Sequence, residues 1–282
     1  MLSSPRSERH KQMMSSRKTE RLFENEYPIR QLGIGKILLL FAWPIVWYTI
    51  LIYAIGKQFV TATGIIPTWV VLSIMVLGPG AELIVGLILL RREGLQFTIQ
   101  DLRNRIRLKW PSGWKIWIIT IIVFFVGMGI SMLMGPVNRA LASIPGFIPP
   151  SWWPAGSNPT VTVSSASDVF PDIILKGNYA FALLYFLIGV IFNIIGEELY
   201  YRGYLLPRMR SVFGRFDWVA NGVLFTLKHA YQRWLYPGIF IGALVFSFAA
   251  GPLGSLPVAM IYHWLGNFMF QMVFLVKAVL GK

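Results

Sequence analysis

The sequence contains no cysteine. That absence excludes a thiol nucleophile, a thiolate metal site and disulfide staples together, so any chemistry must come from carboxylate, imidazole, hydroxyl or amide groups. Charge is also scarce: 13% of the 282 residues are charged, against 55% hydrophobic and 15% aromatic, which is not the balance of a soluble domain. Acidic residues are the rarer kind, 12 against 26 basic, leaving a formal charge of +14. Gly-x-Ser-x-Gly, His-Glu-x-x-His and Gly-x-x-x-x-Gly-Lys are missing, which removes the α/β-hydrolase, zincin and nucleotide-driven readings. No internal repeat is present, so the usual pointer to an inverted-repeat transporter is missing as well.

What is present is a succession of apolar runs long enough to cross a bilayer. They predict an all-α, polytopic transmembrane bundle of about seven spans, roughly six to eight. The runs cover 36–56, 67–90, 114–135, 179–196, a short fifth carrying Phe225 and His229, 238–250, and 256–276. Lys228, Arg233 and Pro237 read as a polar break after the fifth run. Within the second, Gly78-Pro79-Gly80-Ala81-Glu82 reads as a helix kink, with Glu82 protonated or bonded to a neighbouring helix.

Basic residues gather between the runs: Arg6, Arg9, Lys11, Arg17, Lys18, Arg21 and Arg30 before the first, Arg91 to Lys115 after the second, and Arg208, Arg210 and Arg215 after the fourth. This pattern predicts contact with an anionic cytoplasmic leaflet and a cytoplasmic N-terminus, with membrane lipid and no nucleic acid as partner. The 136–178 loop holds only Arg139 and Lys176 as basic residues and is predicted outside. Leu95 to Ile106 fits a short amphipathic surface helix. An odd number of spans leaves Lys277 and Lys282 on the outer side. In a prokaryote the chain would sit in the plasma membrane.

Charge inside an apolar run needs a reason. Glu197 and Glu198 end the fourth run, and at helical spacing Glu198 faces Arg202 while Glu197 turns away without a partner. Phe225 and His229 share one helical face in the next run, and His263 and Asn267 share another in the last. Together these groups suit peptide hydrolysis without Ser or Cys. Glu197 acts as base on water, His229 holds or polarises the same water, and His263 with Asn267 donates to the oxyanion. Glu198 and Arg202 fix the helix end and the direction of Glu197. A second arrangement has Glu197, His229 and His263 ligating one divalent metal such as Zn²⁺, with water in the open position. The cofactor is therefore none or one divalent metal. A third reading is a non-catalytic scaffold, or a peptide-binding or immunity protein.

Glu197-Glu198-x-x-x-Arg202 followed by Gly203-x-Leu205, then Phe225-x-x-x-His229, then His263-x-x-x-Asn267 resembles the CPBP family. This family holds the CaaX proteases and bacteriocin-processing enzymes, also called Abi, and its eukaryotic members include the Ras-converting CaaX endopeptidase. The one small departure is Tyr201, where many relatives carry Phe before the Arg. The resemblance implies an intramembrane endopeptidase, of glutamate or metalloprotease type, acting on a membrane-associated peptide or protein, with its active site in the membrane near the cytoplasmic side. It implies prenylated CaaX tails as substrates in eukaryotes, and peptide processing or self-immunity in bacteria. The chain then divides into a basic cytoplasmic tail (1–35), N-terminal spans with a basic loop (36–135), an extracytoplasmic loop (136–178) and a catalytic membrane core (179–276).

Overall fold

The computed structural model describes residues 29–169 and 175–281, with the side chains of 166, 167, 267–271 and 274 left out. Most of the basic N-terminal tail therefore lies outside the described residues. Every long element among them is helical. We number the helices α1 Ile34–Thr63, α2 Pro67–Arg92, α3 Ile99–Arg105, α4 Trp114–Leu133, α5 Gly135–Leu141, α6 Tyr179–Arg208, α7 Asp217–Lys228, α8 Tyr236–Ala250, α9 Leu256–His263 and α10 Met269–Leu280.

Helix ends follow local chemistry. Proline occupies the first turn of α2, α8 and α9, where a missing N–H is harmless. Asn178 caps α6 by accepting from the Phe181 N–H at 3.1 Å, and Ser255 caps α9 by accepting from Val258 at 3.4 Å. Gly64 ends α1 in the left-handed region, its N–H returning to the Val60 carbonyl at 2.9 Å.

Among the described residues five helices are long and apolar enough to cross a membrane: α1, α2, α4, α6, and Ala230–Ala250, which includes α8. The protein is an integral membrane protein. Its lipid-facing surface is plain on α4, where Ile121, Phe125 and Leu133 are all more than half exposed. Helix α7 has only 12 residues, about 18 Å of rise, which is short of a bilayer core. From Leu256 to Leu280 the chain is helical throughout, passing from α9 to α10 by a π-helical turn at Trp264–Phe268.

Helix α6 differs from the sequence expectation in one consequential way. The apolar run stops near Gly196, but the helix continues to Arg208 with Glu197 and Glu198 well inside it. Polar residues can extend it because their partners come from other helices. Tyr200 accepts from Trp43 Nε1 and donates to the Leu40 carbonyl, both at 2.7 Å, tying α6 to α1. Tyr201 donates to Glu82 Oε1 at 2.8 Å, tying it to α2, as Asn193 Nδ2 already does within the apolar run by donating to the Met75 carbonyl at 3.2 Å.

The α2–α6 contact is close because Gly196 has no side chain. A Cβ there would stand 2.9 Å from the Pro79 carbonyl oxygen and 3.2 Å from Leu83 Cβ, and backbone cannot yield as a side-chain tip does. Gly196→Ala should therefore push apart the two helices carrying Glu82 and Glu197. The expected loss is about 1–3 kcal/mol of stability, read as a lower melting temperature in detergent, with reduced turnover. Gly129→Ala, where a Cβ meets nothing within 4 Å, is the matched control.

Candidate active site

Glu197 sits between two π-helical stretches of α6, Gly189–Gly196 and Glu198–Leu205. Such stretches change the direction of successive side chains and recur at functional sites. Glu197 is 3% exposed, and it is not unpartnered as helical spacing predicted. Lys228 Nζ, from the end of α7, donates to Glu197 Oε1 at 2.5 Å. The same ammonium lies 3.2 Å from Glu82 Oε1 on α2, and Tyr201 donates its hydroxyl to that Glu82 oxygen at 2.8 Å. One buried cation thus bridges two buried carboxylates. The rings of Tyr48, Tyr201 and Phe225 close around it, with centroids 4.9, 5.1 and 5.1 Å from Nζ.

Glu198 and Arg202 pair as their spacing predicted, Nη1 donating to Oε1 at 3.0 Å. Both are fully buried, so the pair needs further hydrogen bonds to offset desolvation. Arg202 Nε donates to Ser247 Oγ at 3.4 Å, Ser247 donates to Asn221 Oδ1 at 3.0 Å, and Asn221 Nδ2 donates to the Tyr201 carbonyl at 2.9 Å. The guanidinium also packs on Phe225, 3.9 Å from its centroid. Phe225 therefore separates two cations, Lys228 and Arg202.

The two histidines enter from different helices. His229 follows α7, and its Nδ1 lies 2.8 Å from the Phe225 carbonyl. A carbonyl only accepts, so Nδ1 carries the proton and a neutral ring keeps Nε2 as an acceptor. His263, at the end of α9, stacks on Phe246 at 4.9 Å and places Nδ1 3.0 Å from Glu198 Oε1. Its Nε2 stands 3.9 Å from Glu197 Oε2. With Nδ1–H directed at Glu198, donation from Nε2 as well requires the imidazolium form.

Glu197, His229 and His263 line one cavity of about 480 Å³, with Phe225, Tyr231 and Phe246 beside them. The structure thus brings together three of the four residues expected from the sequence. Asn267 lies in the π-helical turn after His263, and its side chain is outside the described residues.

The metal arrangement of Glu197, His229 and His263 does not fit this geometry. Among the described residues no group of three or more His, Asp or Glu is placed to hold an ion. The Lys228 ammonium already occupies the Glu197 carboxylate, where it would repel a divalent cation.

Sequence reasoning missed Lys228, which reads there as part of a polar break and in the structure is fully buried. It also gave Tyr201 only an aromatic role, whereas its hydroxyl holds Glu82. One signal was available: Glu82 and Lys228 are intramembrane charges of opposite sign without local partners, and such charges tend to find one another. Glu82, expected to be either protonated or bonded to a neighbouring helix, bonds to α6 and α7 at the site itself.

Residues 179–269 match the family model described as Rce1-like, type II CAAX prenyl endopeptidase. No curated protein and no solved structure matches the chain.

Proposed function

Residues 179–269 belong to the CPBP, or CAAX-protease, family, and from that premise we propose that the chain is an intramembrane endopeptidase of the glutamate type. The observation that carries the reading is a buried carboxylate on a cavity wall shared with two imidazoles. Glu197 takes a proton from water, and the hydroxide equivalent attacks the peptide carbonyl of a membrane-associated substrate. His229 Nε2, an acceptor in the neutral ring, holds the second hydrogen of that water. His263 and Asn267 donate to the oxyanion, and the proton on Glu197 then passes to the leaving amine.

Lys228 holds Glu197 in place by its hydrogen bond to Oε1 and competes with the water for that oxygen. Glu82 shares the Lys228 ammonium at the longer distance of 3.2 Å, and Oε2 of Glu197, which Lys228 does not take, faces His263 Nε2 at 3.9 Å. Glu198 and Arg202 act through His263 by orienting its ring. The alternative of a non-catalytic scaffold has less support, because Glu197, His229 and His263 line one cavity.

Two measurements test this. Asn267→Ala should lower turnover about 10²–10³-fold with little change in substrate binding, the usual effect of losing one oxyanion donor. Cleavage of a membrane-associated peptide library by purified protein should survive a strong chelator. Activity abolished by chelator and restored by Zn²⁺ would replace the glutamate mechanism with the metal one. Tight peptide binding without cleavage would favour the scaffold.

A further inference from the structure

One turn of the cavity wall carries a polar group for which the hydrolytic chemistry has no use. Residues Ala230–Leu235 form a 3₁₀ turn directly after His229, and within it Gln232 leaves the helical region at φ −136° and ψ 45°. Its backbone N–H donates to the His229 carbonyl at 2.9 Å, which sets it one turn along the chain from the imidazole. The side chain lines the catalytic cavity and is 6% exposed. Its Oε1 has no hydrogen-bond partner among the described residues, and its Nε2 donates to none of them. Among the described cavity-lining residues, Gln232 alone has a buried side-chain atom left in that state.

Other polar groups in the lining are already engaged. Asn138 Oδ1 accepts from the Gly238 N–H at 3.2 Å, Ser131 Oγ donates to the Gly238 carbonyl at 3.3 Å, and Ser157 Oγ accepts from Trp153 Nε1 at 2.8 Å. The turn itself is held on both sides of Gln232. Tyr53 donates its hydroxyl to the Tyr231 carbonyl at 2.7 Å, and the Tyr231 ring stacks on Tyr48 at 4.9 Å. Beyond it, the fully buried Trp234 donates from Nε1 to the Ser157 carbonyl at 3.0 Å. The backbone of Gln232 is thus fixed while its amide stays uncommitted.

A buried amide without a partner destabilises the protein that carries it. Methionine, equally unbranched, would fill the same place without that penalty. A bound peptide would remove the penalty. An extended main chain presents an N–H and a C=O at about every 3.3 Å, and in a buried cavity each needs a partner. The glutamine amide offers one donor group and one acceptor, and its broad terminal torsion lets either turn to the ligand without breaking a bond to the described protein.

We propose that Gln232 binds the substrate main chain, its side-chain amide bonding a peptide unit within a few residues of the scissile bond. This rests on the protease reading for the identity of the ligand and on the unpartnered amide for the contact.

The probe is the tightest-binding peptide of the membrane-associated library, labelled with a fluorophore and titrated in detergent against Glu197→Gln protein, so that binding is read without cleavage. Ester analogues replace its peptide bonds one at a time. An ester has no N–H and a weaker acceptor carbonyl, and it therefore reports on a contact to either half of the amide. One position should lose about five- to tenfold in Kd, the usual size for one hydrogen bond. Adding Gln232→Met should weaken the all-amide peptide by a similar factor and shrink the loss at that one position to within about twofold, the coupling expected of a direct contact. With Glu197 intact, Gln232→Met should raise KM by the same factor and leave kcat within about threefold. Without peptide its melting temperature should stay level or rise, and Gln232→Leu provides a second apolar shape for that measurement. Lower melting temperatures in both variants would make the amide a structural group and overturn the contact. An ester series that responds equally with and without the amide would overturn it as well, as would a library from which nothing binds. Coupled binding with no cleavage by the Glu197 protein would sink the protease reading and leave the contact standing, and cleavage without coupling would do the reverse.

Discussion

Glu197→Gln is expected to reduce peptide cleavage roughly 10⁴-fold, the upper end of what a positioned general base supplies. The large figure follows from the lack of a substitute. Neither Glu198, whose Oε1 is engaged by Arg202 and His263, nor Glu82, held by Tyr201 and Lys228, lines the cavity. The variant should still fold. Gln keeps an oxygen that accepts from Lys228, and the ammonium keeps Glu82 as counter-charge, so the stability loss should stay near about 1 kcal/mol. Turnover and melting temperature measured on one detergent preparation separate the two effects. If cleavage persists within tenfold of the parent, about 1.4 kcal/mol of barrier, Glu197 is not the base.

Lys228→Met should act the opposite way, mainly on stability. Removing the ammonium leaves Glu82 and Glu197 facing each other in the apolar interior, and breaking a buried pair by deleting one partner costs about 3–5 kcal/mol. A loss of that size is a large part of a domain's total stability, so expression and melting temperature should both fall. The double variant Lys228→Met with Glu82→Gln removes one of the stranded charges and should recover part of the loss, which a merely steric effect of the Met would not allow. Unchanged thermal stability in the single variant would mean that the bridge contributes nothing.

These expectations also show which parts of the site were legible in one dimension. The pairing of Glu198 with Arg202 is local, four residues apart on one helix, and helical periodicity encodes it directly. The same holds for Phe225 beside His229, whose rings lie 4.8 Å apart. The bridge from Glu82 to Lys228 joins residues 146 apart, and no periodicity spans such a separation. Consequently Glu197 reads as free in the sequence and is paired in the structure.

The sequence by itself determined that this is a helical membrane protein without thiol chemistry, because composition and run length answer to the bilayer directly. It also determined which glutamates and histidines form a motif, through their order and their spacing. The tertiary structure alone decided that α6 continues past its apolar run, since polar residues there are satisfied by α1, α2 and α8. It likewise decided that Lys228 pairs with the candidate base and that residues of the 136–178 loop help line the cavity. Both depend on how separate helices lean against one another, and that is set by close approaches such as Gly196 on Pro79, which leave no periodic trace along the chain.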